Sequence, residues 1–211
     1  MNFDPETLAW DKMDGLLPAI VQDAATGLTL MLGYMDRAAL AATQESGLVT
    51  FFSRSKGRLW RKGETSGNVL RLVELRADCD ADALLVLAEP AGPTCHTGTD
   101  SCFGGEAPGA GWLGTLEKIV AARAAASPDK SYTASLLSHG PAKAAQKVGE
   151  EGVEVALAAV SRDEDGLAEE AADLLFHLLV TLKSRDVPLE TVLEKLRNRH
   201  KPMRTSEEQT A

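Results

Sequence analysis

A long apolar run is missing from this sequence. Its longest apolar stretches, Leu84–Ala88 and Leu174–Leu182, fall well short of the roughly 20 residues that a membrane-crossing helix needs, and His177 interrupts the second. The segment Met1–Gly15 also lacks the basic residues followed by an apolar run that mark a secretory signal. We therefore expect a cytoplasmic protein that has no membrane partner.

Basic residues are too few for a protein that binds duplex nucleic acid. The 211 residues include 22 lysines and arginines against 31 aspartates and glutamates, which gives a net charge of −9. Nucleic-acid binders normally carry the opposite balance. We therefore expect no nucleic-acid partner, and an anionic substrate would need a local basic patch or bound cations.

Cysteine is scarce as well. The three cysteines, Cys79, Cys95 and Cys102, are an odd number in a chain expected to be cytoplasmic, which favours metal or thiol chemistry over a disulfide framework. Three thiolates suit one tetrahedral Zn²⁺ and leave a fourth position for water, as a catalytic site requires. The alternative is that the thiols are buried and inert. His96 is a candidate fourth ligand or general base, or else a structural histidine.

The chain divides into two parts near residue 105. Short apolar or alternating runs predict strands in the first part, with one helix over Asp36–Glu45. Gly104–Gly111 is rich in Gly and Pro, as linkers are. The second part has apolar residues at helical spacing. We therefore expect two domains: a β-rich α+β metal-binding domain over residues 1–106, and an all-α helical bundle over residues 112–211.

These predictions have explicit boundaries. The predicted strands are Leu28–Gly33, Leu48–Ser53, Val69–Leu75 and Ala83–Ala88, and the predicted helices of the second part are Leu113–Ala126, Tyr132–Ser138, Pro141–Val160, Gly166–Ser184 and Pro188–His200.

An acidic cluster precedes the last predicted strand. If this segment is extended, Asp78, Asp80 and Asp82 line one face, because side chains alternate along a strand, and Cys79 faces the other way. Three carboxylates on one face repel one another, and a hard divalent cation such as Mg²⁺ relieves that repulsion. The alternative is an acidic turn in contact with solvent.

A basic segment, SRSKGRLWRKGETSG, stands out in the otherwise acidic first part. Cations, hydroxyls and the backbone N–H groups of a Gly-rich loop together suit a phosphate group. The alternative is a solvated basic loop. The candidate substrate-binding residues here are Arg54, Lys56, Arg61, Lys62, Thr65 and Ser66.

Four motifs in this part resemble phosphoribosyl-AMP cyclohydrolase, an enzyme of histidine biosynthesis: MLGYMD at 31–36, SRSKGRLWRKGETSGN at 53–68, DCDADALL at 78–85 and CHTGTDSCF at 95–103. The resemblance implies hydrolytic opening of the purine ring at the N1–C6 bond. It assigns zinc to Cys79, Cys95 and Cys102, and magnesium to Asp78, Asp80 and Asp82. It also implies a homodimer in which Cys79 comes from the partner subunit, and it makes His96 a candidate proton shuttle.

The helical part carries two acidic groups. Glu150, Glu151 and Glu154 share one helix face at i, i+3 and i, i+4 spacing, and Glu170 and Asp173 are i, i+3 on the next predicted helix. Facing acidic helices can hold Mg²⁺ for a polyphosphate substrate. The alternative is two amphipathic helices with solvated acidic faces and a Lys147–Glu151 ion pair.

This part resembles phosphoribosyl-ATP pyrophosphatase through SYTASLLSHG, AAQKVGEEGVEV, EEAADLLFHLLV and LRNRH. That family shares the EExxE…ExxD signature of all-α nucleotide pyrophosphohydrolases. The resemblance implies that Mg²⁺ held by the signature residues activates water to split the α–β phosphate bond, with Glu151 as the catalytic carboxylate. Lys143 and Lys147 would meet the phosphates. The signature residues here are Glu150, Glu151, Glu154, Glu170 and Asp173.

The two resemblances support each other, because the product of the pyrophosphatase is the substrate of the cyclohydrolase. We therefore expect a bifunctional hydrolase of histidine biosynthesis that acts on phosphoribosyl nucleotides. Two rival interpretations are a general nucleoside triphosphate pyrophosphohydrolase fused to a zinc-binding module, and a non-enzymatic zinc-binding interaction protein.

Overall fold

The computed structural model describes residues 4–161 and 164–200. The chain forms two compact units, Met1–Leu113 and Gly114–Ala211. The first contains all the described strands, and the second is built from helices. The prediction of a β-rich part followed by an all-α part is therefore confirmed. Within the described residues, no helix combines the length and the apolar character needed to cross a membrane.

A four-stranded sheet with strand order β2-β1-β6-β5 organises the first unit. β1 runs antiparallel to β2 and parallel to β6, and β5 is antiparallel to β6. A separate hairpin pairs β3 with β4. The elements are β1 Leu17–Asp23, β2 Thr29–Met35, α1 Arg37–Ser46, β3 Thr50–Ser53, β4 Arg58–Arg61, β5 Leu70–Ala77 and β6 Leu84–Pro90.

The core of this unit lies on one face of the sheet. Leu17, Ala19 and Val21 of β1 alternate inward and are completely buried, as the period of two along a strand requires. α1 covers this face with Leu40 and other small or apolar side chains. The Asp36 carboxylate accepts a hydrogen bond from the Ala39 N–H at 2.7 Å and caps α1, which begins where the helix over Asp36–Glu45 was predicted.

The predicted linker packs in part against the first unit. Ala107 is buried. A Cβ atom on Gly111 would lie 2.1 Å from the Thr26 carbonyl oxygen, so the backbone approaches the β1–β2 connection too closely for any other residue. The Trp112 indole N–H donates to the Glu106 carboxylate at 3.1 Å.

The described residues after Gly111 form five α-helices. α4 packs mainly against α5, and Val120, Leu136, Ala144, Leu179 and Val180 form the buried core. The helices are α2 Trp112–Ala124, α3 Tyr132–Ser138, α4 Pro141–Ser161, α5 Glu164–Lys183 and α6 Leu189–Arg199. The predicted boundaries of 1–106 and 112–211 include residues 1–3, 162–163 and 201–211, which lie outside the described residues.

Candidate active sites in the two units

The aspartate cluster lies on the connection between β5 and β6. The chain turns here and is not extended, which matches the alternative of an acidic turn, and Ala81 has a φ of +59°. The Asp78 carboxylate closes the turn by accepting hydrogen bonds from the N–H groups of Asp82 and Ala83, at 2.9 and 3.1 Å. The three carboxylates are therefore brought together by this turn, and not by the alternation of side chains along a strand.

The three carboxylates form a group suited to a hard cation. One oxygen each of Asp78, Asp80 and Asp82 lies within 4.8 Å of the others. The Lys12 ammonium contacts Asp80 at 2.6 Å and Asp82 at 3.3 Å. The hydrogen bond from Lys12 to Asp80 lowers the pKa of Asp80. An oxygen-only set that already attracts a cation fits Mg²⁺ or a similar ion.

Two of the three thiols are held together by the loop after β6. The Cys95 N–H bonds to the Thr99 carbonyl, which tightens the loop, and the Cys102 N–H bonds to the Leu30 carbonyl of β2 at 2.8 Å. The two thiols interact as a result. Within the described residues of one chain, Cys79 does not join them in a group of metal-ligand atoms.

The two thiols differ in acidity. The Thr97 hydroxyl donates to the Cys95 sulfur at 3.1 Å, and this hydrogen bond lowers the pKa of Cys95 to about 6. Burial and the neighbouring Cys95 raise the pKa of Cys102. A thiolate at neutral pH beside a second thiol is a donor set that zinc prefers.

This difference predicts an order of alkylation in metal-free protein. Iodoacetamide should modify Cys95 at pH 7, with a midpoint near pH 6, whereas Cys102 should need alkaline pH, because only the thiolate reacts. Peptide mapping by mass spectrometry at a series of pH values would measure both. Thr97→Val should move the Cys95 midpoint to higher pH. Faster labelling of Cys102 than of Cys95 at pH 7 would contradict the assignment.

A cleft of about 320 Å³ adjoins Cys95. It brings together Lys62, Thr65 and Ser66 of the basic segment with Cys95 and His96. The other three cations predicted to bind substrate do not line it: Arg54 lies 3.7 Å from the centre of the Tyr34 ring, and Lys56 and Arg61 are exposed on the β3–β4 hairpin.

Two features shape this cleft. Lys62 is only 8% exposed, which places its cationic side chain against the protein interior. Gly63 has a φ of +83°, and a Cβ atom there would lie 2.5 Å from the Asn68 backbone. The loop therefore needs glycine at this position to keep its close backbone approach.

In the second unit, carboxylates from two helices converge. Glu151 and Glu154 of α4 and Glu170 of α5 each offer an oxygen within 4.8 Å of the others. Glu151 is only 4% exposed. Repulsion from Glu151, together with desolvation and Glu170, raises the pKa of Glu154. This oxygen-only set also fits a divalent cation. Asp173 does not join the group through its carboxylate, and its role as a ligand stays a prediction.

Lys147 lies beside this cluster. Its ammonium contacts Glu150 and Glu151, each at 2.9 Å, and it lowers the pKa of both carboxylates. Glu150 also accepts from Gln146 at 2.7 Å and lies outside the group of three. The alternative of an amphipathic helix with a solvated acidic face predicted a Lys147–Glu151 ion pair, and this pair is present. It also predicted that Glu151 is exposed to solvent, whereas Glu151 is buried. Lys143 bonds to Gln146 at 3.1 Å.

His177 is a contact of this site that the sequence did not predict. It is 5% exposed, and its Nδ1 lies 2.9 Å from the Asp173 carbonyl and 3.5 Å from the Glu151 carboxylate. Both neighbours accept hydrogen bonds, so a neutral ring carries its proton on Nδ1, and Nε2 accepts from the Tyr132 hydroxyl at 3.1 Å. The buried carboxylate Glu151 is therefore held between Lys147 and His177.

Comparison with known proteins identifies the family. The family model for phosphoribosyl-AMP cyclohydrolase matches residues 31–104, and that for phosphoribosyl-ATP pyrophosphohydrolase matches residues 113–200. The chain is 56% identical over 199 residues to the histidine biosynthesis bifunctional protein HisIE of Vibrio parahaemolyticus, with 93% of this chain and 94% of that protein covered. It belongs to the HisIE family. The HisIE of Escherichia coli is 58% identical over 193 residues, which cover 92% of this chain and 95% of the relative.

Membership of the HisIE family confirms the predicted pairing of the two enzymes and their order along the chain. The two unpredicted contacts, Lys12 with the aspartate cluster and His177 with Glu151, involve partners far apart in sequence. The signal available for His177 was its position in the largely apolar run Leu174–Leu182.

Proposed function

We propose that the helical unit removes pyrophosphate from 1-(5-phosphoribosyl)-ATP, and that the β-rich unit then opens the adenine ring of the resulting 1-(5-phosphoribosyl)-AMP. One observation carries this proposal: each unit holds a cluster whose donor atoms suit its own step. The first unit has thiols beside a cleft with a cation and hydroxyls, and the second has oxygen ligands on facing helices. Residues 1–106 and 112–211 are the proposed extents of the two activities.

In the pyrophosphatase unit, Glu151, Glu154 and Glu170, with Asp173 and Glu150 completing the signature, would hold Mg²⁺. Magnesium would supply positive charge to the phosphoryl oxygens and favour attack by water at the α–β bond. Lys147 keeps a cation next to the cluster, where it meets the phosphates together with Lys143. His177 and Lys147 fix the orientation of the buried Glu151 carboxylate.

In the cyclohydrolase unit, the cleft beside Cys95 receives the substrate. Lys62, Thr65 and Ser66 bind a phosphate of the phosphoribosyl nucleotide, since a cation and two hydroxyls line the cleft. Arg54, Lys56 and Arg61 stay predicted substrate-binding residues, although they do not line this cleft. His96 lines the cleft and moves the proton during ring opening. Zinc would supply the Lewis acidity that makes water nucleophilic near neutral pH, and Asp78, Asp80 and Asp82 would hold Mg²⁺.

The zinc site is completed by a second copy of the chain. Zinc sites take three or four protein ligands, and one chain supplies the adjoining pair Cys95 and Cys102 without Cys79. Cys79 lies exposed on the β5–β6 turn. A homodimer in which Cys79 of the partner subunit reaches the Cys95–Cys102 pair satisfies all three thiols.

The cytoplasmic location also stays a prediction.

An assay of both reactions tests the proposed function. Purified protein with Mg²⁺, Zn²⁺ and phosphoribosyl-ATP should release pyrophosphate and then form the ring-opened product, seen as a change in ultraviolet absorbance. Ordinary ATP should be a poor substrate. Equal turnover of ATP would instead indicate a general pyrophosphohydrolase, and no turnover of either phosphoribosyl intermediate would indicate a binding protein.

A further inference from the structure

A second cleft in the helical unit has no role in the reaction described so far. It measures about 320 Å³ and lies where the α2–α3 connection meets α5. Arg123 and Lys130 line it together with the rings of Tyr132 and Phe176. None of these four residues belongs to the acidic cluster or to the predicted substrate-binding set.

The aromatic wall of this cleft is open and rigid. Tyr132 is 56% exposed, and its ring stacks on Phe176 with centroids 6.3 Å apart and planes inclined by 21°. The hydrogen bond from its hydroxyl to His177 fixes the ring. An exposed aromatic ring held in one orientation is a platform on which a purine base can stack.

The two cations that line the cleft, Arg123 and Lys130, have no carboxylate partner among the described residues. The structure describes no carboxylate paired with Arg123 or Lys130 among residues 4–161 and 164–200. Two unpaired cations beside an aromatic platform favour an aromatic ligand that carries a phosphate group, because guanidinium and ammonium groups both bind phosphate oxygens.

The cleft is connected to the acidic cluster through side chains in contact. The Tyr132 hydroxyl bonds to His177 Nε2 at 3.1 Å, and His177 Nδ1 lies 3.5 Å from Glu151. One histidine ring therefore separates the aromatic platform from a carboxylate of the cluster. The cleft and the acidic cluster are therefore neighbouring sites in the helical unit.

We propose that this cleft binds the 5-phosphoribosyl group attached to the adenine ring, and that Arg123 and Lys130 thereby select phosphoribosyl-ATP over ATP. The inference rests on the proposed pyrophosphatase function and extends it. ATP has the same base and triphosphate but lacks the second ribose and its 5-phosphate, so only phosphoribosyl-ATP offers a phosphate group to the two cations. Tyr132 stacks on the adenine, which the two nucleotides share.

The test compares two substrates in the full-length chain. Arg123→Gln/Lys130→Gln should lower kcat/KM for pyrophosphate release from phosphoribosyl-ATP about a hundredfold, roughly tenfold for each charge-assisted hydrogen bond lost. The slow reaction with ATP should not change. Mn²⁺ binding, followed by electron paramagnetic resonance, should also not change. Lys195→Gln, at an exposed lysine of α6, is the matched control.

Each other outcome has a distinct meaning. If the unmodified chain does not prefer phosphoribosyl-ATP to ATP, the proposed function fails before the cleft is tested. If the unmodified chain discriminates and the double variant still does, or if both substrates lose rate equally, the cleft does not bind the phosphoribosyl group. Should the double variant lose Mn²⁺ binding or its folded circular dichroism signal, the two single variants decide, each with an expected tenfold loss confined to phosphoribosyl-ATP.

Discussion

Glu151→Gln should reduce pyrophosphate release from phosphoribosyl-ATP roughly a thousandfold and leave ring opening of supplied phosphoribosyl-AMP unchanged. Glu151 is the buried member of the three-carboxylate group, and glutamine keeps its size while removing its charge. A divalent cation would lose an anionic ligand, and the loss of several kcal/mol of charge stabilisation corresponds to about that factor in rate. Initial rates of both reactions on one preparation measure the effect.

The matched control is Glu169→Gln. Glu169 precedes Glu170 on α5, is exposed, and lies outside the carboxylate group. The same chemical change there should leave both rates within about twofold of the unmodified chain, because an isolated surface charge contributes little. Equal damage by the two substitutions, or equal loss of both reactions in Glu151→Gln, would mean that the acidic helices are structural.

On the acidic helices, the sequence predicted which carboxylates share a helix face but not which of them is buried. Spacing alone placed Glu150 and Glu151 equally well beside Glu154, at i+4 and i+3. Packing separates them: Glu151 is buried against His177, whereas Glu150 bonds to Gln146 at the surface. Which face of α4 meets α5 depends on contacts between helices that no single-helix pattern contains.

In the sheet of the first unit, too, local sequence patterns did not predict structure that depends on contacts between remote segments. The four predicted strands overlap β2, β3, β5 and β6, because each contains a short run of closely spaced apolar residues. β1 was not predicted, although it is central to the sheet. Its second residue is Pro18, which has no N–H to donate and normally argues against a central strand. Pairing with β2 and β6, remote along the chain, overrides that local preference.

The cysteines are a third case, because one chain alone does not bring all three predicted zinc ligands together. The sequence grouped Cys79, Cys95 and Cys102 by residue type, and the fold brings only the last two together. The β5–β6 turn holds Cys79 in a short, hydrogen-bonded connection, so a large movement of this residue within its own subunit would break the turn. We therefore propose that the zinc site is shared between the subunits of a homodimer, and mixing variant subunits tests this.

Cys79→Ala and Cys95→Ala should each lose bound zinc and ring opening while keeping pyrophosphate release, and a mixture of the two should regain activity. In a mixed dimer, the Cys79→Ala subunit keeps Cys95 and Cys102, and the Cys95→Ala subunit supplies Cys79, so one of the two sites has all three thiolates. With random exchange between subunits, half of the dimers are mixed, and ring opening should recover to about a quarter of the unmodified rate.

A second mixture shows whether that recovery comes from sharing. Cys95→Ala and Cys102→Ala remove thiols that lie together in one chain, so every dimer formed from them lacks a thiolate in both sites. This mixture should stay inactive under the same exchange conditions, with zinc measured by mass spectrometry of the metal. If the first mixture also stays inactive after exchange is demonstrated, the site is not shared. If Cys79→Ala alone binds one zinc per chain at full activity, Cys79 is not a ligand, and the Cys95–Cys102 pair must complete its coordination with other residues or water, because two thiolates alone do not fill a tetrahedral site.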